Sequence, residues 1–208
     1  MVRRMKDPAF QREQMESRYL AHVEPINRLV DELRTEADWM PYVAPIYGGV
    51  HARVLAILRD PGPKTQDGTG SGMLCVENDD PSAERYHDLL VGAGIAVDDL
   101  VAWNAYPWYI NSKPDKAQLE RALPVLHRLI RVCPRLEVVM VHGGDAHRAW
   151  RMFRERYPQD VRGLRVVETY HTSRQALRHE DPAVRQARED KLAADFAEVA
   201  AVLYVGRR

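Results

Sequence analysis

The chain has 208 residues, of which 45% are hydrophobic and 29% are charged, a composition typical of one compact globular domain with a sizeable core. Its 30 basic and 30 acidic residues cancel, so any nucleic-acid binding must depend on a local basic face rather than on the charge of the whole molecule. The two isolated cysteines, Cys75 and Cys133, argue against a disulfide framework, a structural zinc or an iron–sulfur cluster. They are typical of a protein in a reducing cytoplasm.

The start of the chain predicts neither a signal peptide nor a membrane anchor. Arg3 and Arg4 are followed by Asp7 and Pro8 rather than by an apolar segment. No apolar run approaches the length of a membrane span. We therefore expect an unprocessed, soluble, cytoplasmic monomer.

The first quarter of the chain predicts helices followed by a loop. Residues 8–36 carry apolar side chains at helical intervals, broken by Pro25, which predicts two helical pieces. Residues 39–49 are rich in Pro, Tyr and Gly, which is typical of a loop. We expect residues 1–50 to form an extension that packs on a single domain spanning residues 1–208.

The strongest strand signal is the apolar run at residues 53–58. An almost wholly apolar strand is buried on both faces, which is typical of a central strand in a parallel sheet. The glycine-rich residues 61–72 follow and predict a loop with sharp turns or close contacts. Its glycines match neither a GxGxxG nor a Walker A pattern, because Lys64 precedes them. This argues against a nucleotide-phosphate loop.

The rest of the chain alternates helices with strands. Ser82 is the predicted N-cap of a helix over residues 82–91, and Pro124 should kink the helix at 116–132 or mark a later start. The other predicted elements are strands at 100–104, 138–141 and 164–169 and helices at 146–157 and 183–204. This alternation predicts an α/β fold, a three-layer α/β/α sandwich with a central four-stranded parallel sheet.

Few polar residues follow the predicted strands, and they differ in chemistry. They are Asp60, Asn104, His142 (or, in its place, Gly143) with the nearby Asp145, and His171. Each alone is most often a turn or cap residue. Because the carboxyl ends of parallel strands meet at one edge, an acid, an amide and an imidazole there predict a single site.

In these stretches the chain resembles the uracil-DNA glycosylase superfamily. The resemblance covers most of residues 54–180, in the order and with roughly the spacing that the family uses. It is carried by residues 58–63, 101–105, 139–146 and 170–173. It implies the same sandwich fold and an enzyme that flips uracil out of DNA and hydrolyses its N-glycosidic bond, in base excision repair, with no cofactor and no metal.

The resemblance also implies a role for each matching residue. Asp60 takes the place of the acid that positions the attacking water, and Asn104 that of the amide that reads the uracil edge. His171 matches the histidine that holds the uracil O2 oxygen, and Ser173 matches a serine that grips DNA phosphate. Gly143–Gly144 is similar to a second, backbone grip on phosphate.

Three positions depart from the family pattern. Gly62 stands where the best-known branch has a tyrosine that excludes the thymine methyl, so C5-substituted uracils are expected to enter unless Met73 or Trp103 fills the space. Leu74 replaces the phenylalanine that stacks on uracil, which weakens stacking but keeps apolar packing. Thr172 replaces the proline of the late motif.

Several further residues are candidates for DNA contact. Arg174 or Gln175 stands where the family inserts a side chain into the duplex, and the choice between them stays open. Candidates for phosphate contact in the rim loops and at the predicted helix start are Lys64, Ser82, Lys113 and Arg178.

Three other interpretations remain open at this stage. A metal-dependent hydrolase is suggested by His142, Asp145 and His147 together with His171 and His179, although their spacing matches no zinc pattern. A catalytically inactive nucleic-acid-binding relative is suggested by the altered aromatic and proline positions. The third is a small-molecule-binding α/β domain whose rim residues have only structural roles.

Overall fold

The computed structural model describes residues 3–205. The strands are β1 (Tyr42–Val43), β2 (Val54–Leu58), β3 (Met73–Leu74), β4 (Leu100–Asn104), β5 (Val138–His142) and β6 (Arg165–Thr169). The helices are α1 (Pro8–Glu16), α2 (Glu24–Leu33), α3 (Pro81–Ala93), α4 (Lys116–Val132), α5 (Gly144–Arg156), α6 (Arg174–Leu177) and α7 (Pro182–Val205). Among these described residues, no helix has the length and apolar character needed to cross a membrane.

The main sheet has four parallel strands in the order β4-β2-β5-β6. Strand β2 lies between two neighbours, which explains why its side chains are almost wholly apolar. Its last residue, Leu58, is in register with Asn104 at the end of β4. On the other side, His142 at the end of β5 is in register with Thr169 at the end of β6. All four strands therefore end at one edge.

The helices cover both faces of this sheet. The connection through α3 runs from β2 to β4, whereas those through α4 and α5 run in the opposite direction. Because crossovers between parallel strands are right-handed, α3 lies on one face and α4 and α5 lie on the other. The packing of α3 on α7 and of α4 on α5 agrees with this arrangement. The predicted α/β/α sandwich is confirmed.

The N-terminal segment packs on the same core as the sheet. Ile26 of α2 belongs to the hydrophobic cluster that includes the strands. Pro25 does not break a helix, because it lies in the first turn of α2, where its missing N–H leaves no helical bond unmade. The predicted loop at 39–49 contains β1, which pairs with β3 in a small parallel sheet. Two-residue strands are too short to produce an alternating pattern in the sequence.

Two helix starts differ from the sequence prediction. Asp80, not Ser82, caps α3, because its carboxylate accepts hydrogen bonds from the backbone N–H groups of Ser82 and Ala83. Helix α4 begins at Lys116 with a capping box and continues through Pro124, so the proline marks no later start. The four-residue α6 was not predicted.

Candidate active site

The sheet topology predicts a ligand-binding crevice at the carboxyl ends of β2 and β5. The connections that leave these neighbouring strands run in opposite directions, and such a switch point is where open α/β sheets bind ligands. Asp60 follows β2 by two residues, and Gly143 directly follows β5. Asn104 ends the strand on one side, and His171 follows the strand on the other. The fold thus brings Asp60, Asn104 and His171 to one edge.

The Asp60 carboxylate is held on one oxygen and free on the other. Its side chain is only 3% exposed, and Arg59 Nε donates a hydrogen bond to Oδ1. Oδ2 is buried without a hydrogen-bond partner among residues 3–205. Burial raises the pKa of Asp60, and the Arg59 guanidinium and the nearby backbone amides of Ser112 and Asn111 partly offset this increase.

Asn104 presents an unsatisfied amide. The residue is 2% exposed, and its Nδ2 has no hydrogen-bond partner in the described part of the chain. A buried amide without a partner costs on the order of 1–3 kcal/mol. A ligand that supplies an acceptor recovers part of this cost, which is why such groups occur at binding sites.

His171 is held as a neutral donor. The backbone N–H of Ser173 donates to His171 Nδ1 at 3.0 Å, so the proton of the neutral ring lies on Nε2. Burial lowers the pKa of His171, the nearby Arg59 lowers it further, and Asp80 partly opposes them. At neutral pH the ring therefore offers Nε2–H as a hydrogen-bond donor.

The turn that carries His171 is anchored to α3. Thr172, in place of the family's proline, is buried and donates from Oγ1 to the carbonyl oxygen of Ser82 at 3.0 Å. Ser82 therefore contributes a backbone acceptor to this anchor. Ser173 Oγ accepts from the backbone N–H of Ala176 at 3.3 Å and caps α6. This short helix begins with Arg174 and Gln175, which are both exposed.

Gly143 and Gly144 form the start of α5 beside this turn. Gly143 has a φ of +85°, which favours glycine. A Cβ on Gly143 would lie 3.5 Å from the Cβ of His171, so the two loops are neighbours. Gly144 is exposed, and a Cβ there would meet nothing within 4 Å. The helix N-terminus is thus open at the crevice.

The gate position is also open. Gly62 is exposed with a φ of −77°, and an added Cβ would meet no atom within 4 Å. Met73 and Trp103 are fully packed in the core, as is nearly all of Leu74. Trp103 precedes Asn104 in β4, so the two side chains point to opposite faces of the sheet.

Lys64 and Lys113, two lysines predicted to contact DNA phosphate, have other neighbours in the structure. Lys64 lines a small cleft of about 170 Å³ together with Lys6 and Gln11, and this cleft contains none of the three residues at the strand ends. Lys113 is largely exposed and lies 3.4 Å from Asp145 through its Nζ. The cleft that Lys64 lines is thus a different one from the predicted base site.

Of the two alternatives at the end of β5, His142 and Gly143, His142 is a core residue. It is 1% exposed and packs edge-on against Tyr86, with Phe196 also in contact. Neither ring nitrogen has a hydrogen bond of ordinary geometry within residues 3–205. Burial lowers the pKa of His142 to about 3, an effect strengthened by His171 and His147 and only partly opposed by the Tyr170 backbone. The next residue, Gly143, is the one that lies beside His171.

The side chains that were considered as metal ligands do not form a metal site in the described residues. His147 Nε2 lies 2.9 Å from the carbonyl oxygen of Val141 and 3.0 Å from that of Thr169, so it is used by the backbone. Within the described chain, residues 3–205, no group of three or more His, Cys, Asp and Glu side chains is arranged to hold a metal ion. The metal-dependent hydrolase interpretation therefore has no cluster of side chains to support it.

The buried His142 yields a prediction about stability. Its pKa of about 3 lies below the ordinary 6.5, so between these values the unfolded chain binds a proton that the folded protein does not. The free energy of unfolding therefore falls as the pH decreases from 7 toward 3, by an amount on the order of a few kcal/mol from this residue. We expect His142→Leu to flatten this dependence, as measured by urea unfolding at several pH values.

A matched control for this experiment is Val139→Ala in the same strand. It removes buried apolar atoms and no titratable group, so it should lower the free energy of unfolding by a similar amount at every pH. If His142→Leu keeps the slope of the wild type, the pH dependence comes from other groups.

Two residues near the site were missed by the sequence interpretation. Arg59 contacts Asp60 and lowers the pKa of His171, and Asp80 acts on His171 from the start of α3. The position of Arg59 beside the predicted acid was an available signal. Asp80 offered none, because the start of α3 meets the turn after β6 only in the folded protein, where Thr172 bonds to Ser82.

The fold and the site together define a class of protein. An α/β sandwich with a buried acid, an unsatisfied amide and a neutral histidine at one sheet edge is suited to bind a planar polar group and to stabilise separated charges around it. A model of the uracil DNA glycosylase superfamily matches residues 45–197. The chain belongs to this superfamily, whose members are glycosylases that act on DNA. A search of curated proteins found no match.

Proposed function

We propose that the protein is a monofunctional DNA glycosylase that flips uracil out of DNA and hydrolyses its N-glycosidic bond. The observation that carries the proposal is the state of His171. The Ser173 amide donates to Nδ1 and leaves Nε2–H as the donor, at the same edge as the free Oδ2 of Asp60. A donor for the departing base and an anion for the sugar are the two groups that the reaction requires.

The reaction separates charge across the broken bond. As the bond between C1′ and N1 lengthens, the sugar becomes oxocarbenium-like and the base becomes an anion. The Asp60 carboxylate stabilises the cation and orients the water whose oxygen bonds to C1′. His171 Nε2–H donates to uracil O2 and stabilises the base anion, a contribution of about 2.7–4 kcal/mol by comparison with an oxyanion-hole donor. The water loses a proton as its oxygen bonds to C1′, and the base anion takes up a proton, so the products are free uracil and an abasic site with a hydroxyl group on C1′.

Asn104 accounts for the choice of base. Its side-chain carbonyl can accept from uracil N3–H, and its Nδ2 can donate to uracil O4. Cytosine presents the opposite polarity at both atoms, so its binding would leave buried groups unpaired. Asn104 is buried, and its Nδ2 has no partner among the described residues, which supports this role.

The direct test incubates purified protein with EDTA and uracil-containing DNA, single- and double-stranded, and detects abasic sites by alkaline cleavage. Matched oligonucleotides carry cytosine, thymine or 5-hydroxymethyluracil at the same position. Excision of uracil but not of cytosine supports the proposal. Binding of DNA without excision of any base would favour the inactive relative, and absence of both would favour a small-molecule-binding domain.

The open gate predicts the effect of a tyrosine at position 62. Since an added side chain has space and a compatible backbone, Gly62→Tyr should fold normally. We expect it to lower excision of 5-hydroxymethyluracil by roughly 10- to 100-fold while uracil excision changes little. Gly62→Ala is the control, because its methyl group is too small to close the gate. An equal loss on both substrates would place the gate elsewhere.

We also propose that the protein acts as a cytoplasmic monomer. Cys75 and Cys133 are both free and buried, which is compatible with a reducing compartment. Light scattering on the purified protein tests the monomer, and microscopy of a fluorescent fusion tests the location.

A further inference from the structure

A cleft of about 580 Å³ lies beside the turn that carries His171. It is formed by α3, by α6 with the residue after it, and by the first part of α7. Its walls carry the four arginines Arg85, Arg174, Arg178 and Arg185 and a single carboxylate, Glu189. We call it the arginine cleft. It holds an excess of three positive charges, although the whole chain has a formal net charge of zero.

Most of this charge is not used within the protein. Arg85 forms an ion pair with Glu189. Within residues 3–205, the guanidinium groups of Arg174, Arg178 and Arg185 have neither a hydrogen bond nor an ion pair. Burial lowers the pKa of Arg85, and the neighbouring Arg174 lowers it further, which indicates that the two guanidinium groups repel each other. Such repulsion is relieved when an anion binds between the cations.

The geometry points to a phosphate-binding function: we propose that the arginine cleft binds backbone phosphates of the DNA strand that carries the flipped base. Guanidinium groups pair with phosphate oxygens through two parallel hydrogen bonds, which suits this ligand. Arg174 directly follows Ser173 and lines the cleft, so the cleft continues from the turn that carries His171. The inference rests on the proposed function, because it takes His171 as the position of the base.

The backbone of DNA fits the cleft better than a small free anion does. Its arginines come from three separate segments, at residues 85, 174–178 and 185, and the cleft is open to solvent. Several phosphates of one strand can enter an open cleft and neutralise arginines from separate segments. A free phosphate or a nucleotide shares the chemistry, and the experiment below separates the two sources.

The test variant is the double substitution Arg178→Gln and Arg185→Gln. Both residues are exposed, and the change keeps the ion pair of Arg85 with Glu189. The matched control is Arg131→Gln, an exposed arginine in the last turn of α4, at the opposite edge of the sheet. Fluorescence anisotropy measures Kd for a uracil-free duplex over a range of salt concentrations, and single-turnover kinetics measures excision at saturating DNA. Thermal unfolding checks that each variant folds.

We expect the double variant to bind the duplex roughly tenfold more weakly. The slope of log Kd against log salt should fall by about 1 for each lost phosphate contact. The excision rate at saturating DNA separates this loss of binding from any effect on the chemical step. The control should match the wild type in all three measurements.

Two results would overturn the inference. One is a folded double variant with the Kd and salt slope of the wild type. The other is calorimetric binding of inorganic phosphate or a deoxynucleoside monophosphate that the double substitution abolishes while duplex binding is unchanged. Duplex binding does not depend on catalysis. If the wild type binds DNA through these arginines but excises no uracil, the glycosylase proposal fails, and only DNA binding by the arginine cleft is retained.

Discussion

Asp60→Asn is expected to lower the single-turnover rate of uracil excision by about 10²- to 10⁴-fold, the range of a lost general base or charge stabiliser. The substitution keeps the shape of the side chain but removes its negative charge. Because Asp60 is buried, water cannot take over the stabilising role of that charge. DNA binding, measured as Kd on the same duplex, should change little, because the loss is confined to the transition state.

The pH dependence of the wild-type enzyme provides an independent check of this role. The proposed mechanism requires the ionised carboxylate, so the rate should fall as the pH decreases through the pKa of Asp60, which burial raises above its ordinary 3.8. Arg59 opposes this shift, and Arg59→Gln should therefore move the acid limb of the profile to higher pH. Lys113→Gln, in the neighbouring loop, is the control. A rate that survives in Asp60→Asn would exclude Asp60 as the essential acid.

His171→Leu is expected to lower the excision rate by about 10²- to 10³-fold, as observed for the loss of a single oxyanion-hole donor. The reason is that the base anion would lose the Nε2–H that the structure directs away from Ser173. His171→Gln retains an N–H donor and should recover part of the rate. Rates measured at saturating DNA separate this effect from weaker binding.

The role of the tautomer can be tested through the Ser173 backbone. Ser173→Ala keeps the N–H that donates to His171 Nδ1, whereas Ser173→Pro removes it. The φ of −65° at Ser173 is compatible with proline. Both variants lose the hydroxyl that caps α6, so they differ chiefly in this N–H. We expect the proline variant to be the slower of the two, and equal rates would show that the tautomer does not limit excision.

Much of the fold could be predicted because its signals are local. Strand β4 and helix α4 have the predicted bounds, since an apolar run and a helical periodicity lie within consecutive residues. The candidate site residues Asp60, Asn104 and His171 could be proposed for the same reason. Each lies at or just after the end of a strand, and the ends of parallel strands meet at one edge.

Contacts between distant segments could not be predicted in this way. His142 follows the same sequence pattern as Asn104, yet it packs against Tyr86 and Phe196 in the core. Strands β1 and β3 pair although about thirty residues separate them in the sequence, and only two residue pairs join them. Strands this short produce no recognisable sequence pattern. The replacement of the motif proline by Thr172 suggested an inactive relative. In the structure the Thr172 hydroxyl anchors the turn to α3.

The sequence by itself determined the order of the elements, the class of fold and the chemical types at the edge of the sheet, because these depend on periodicity and on where strands end. Only the tertiary structure decided what those groups can do. The proton on His171 Nε2, the free oxygen of Asp60 and the gathering of Arg85 with Arg174, Arg178 and Arg185 depend on which segments pack together. Hydrogen bonds and electrostatic interactions depend on distances in space, and the spacing of residues along the chain does not determine those distances.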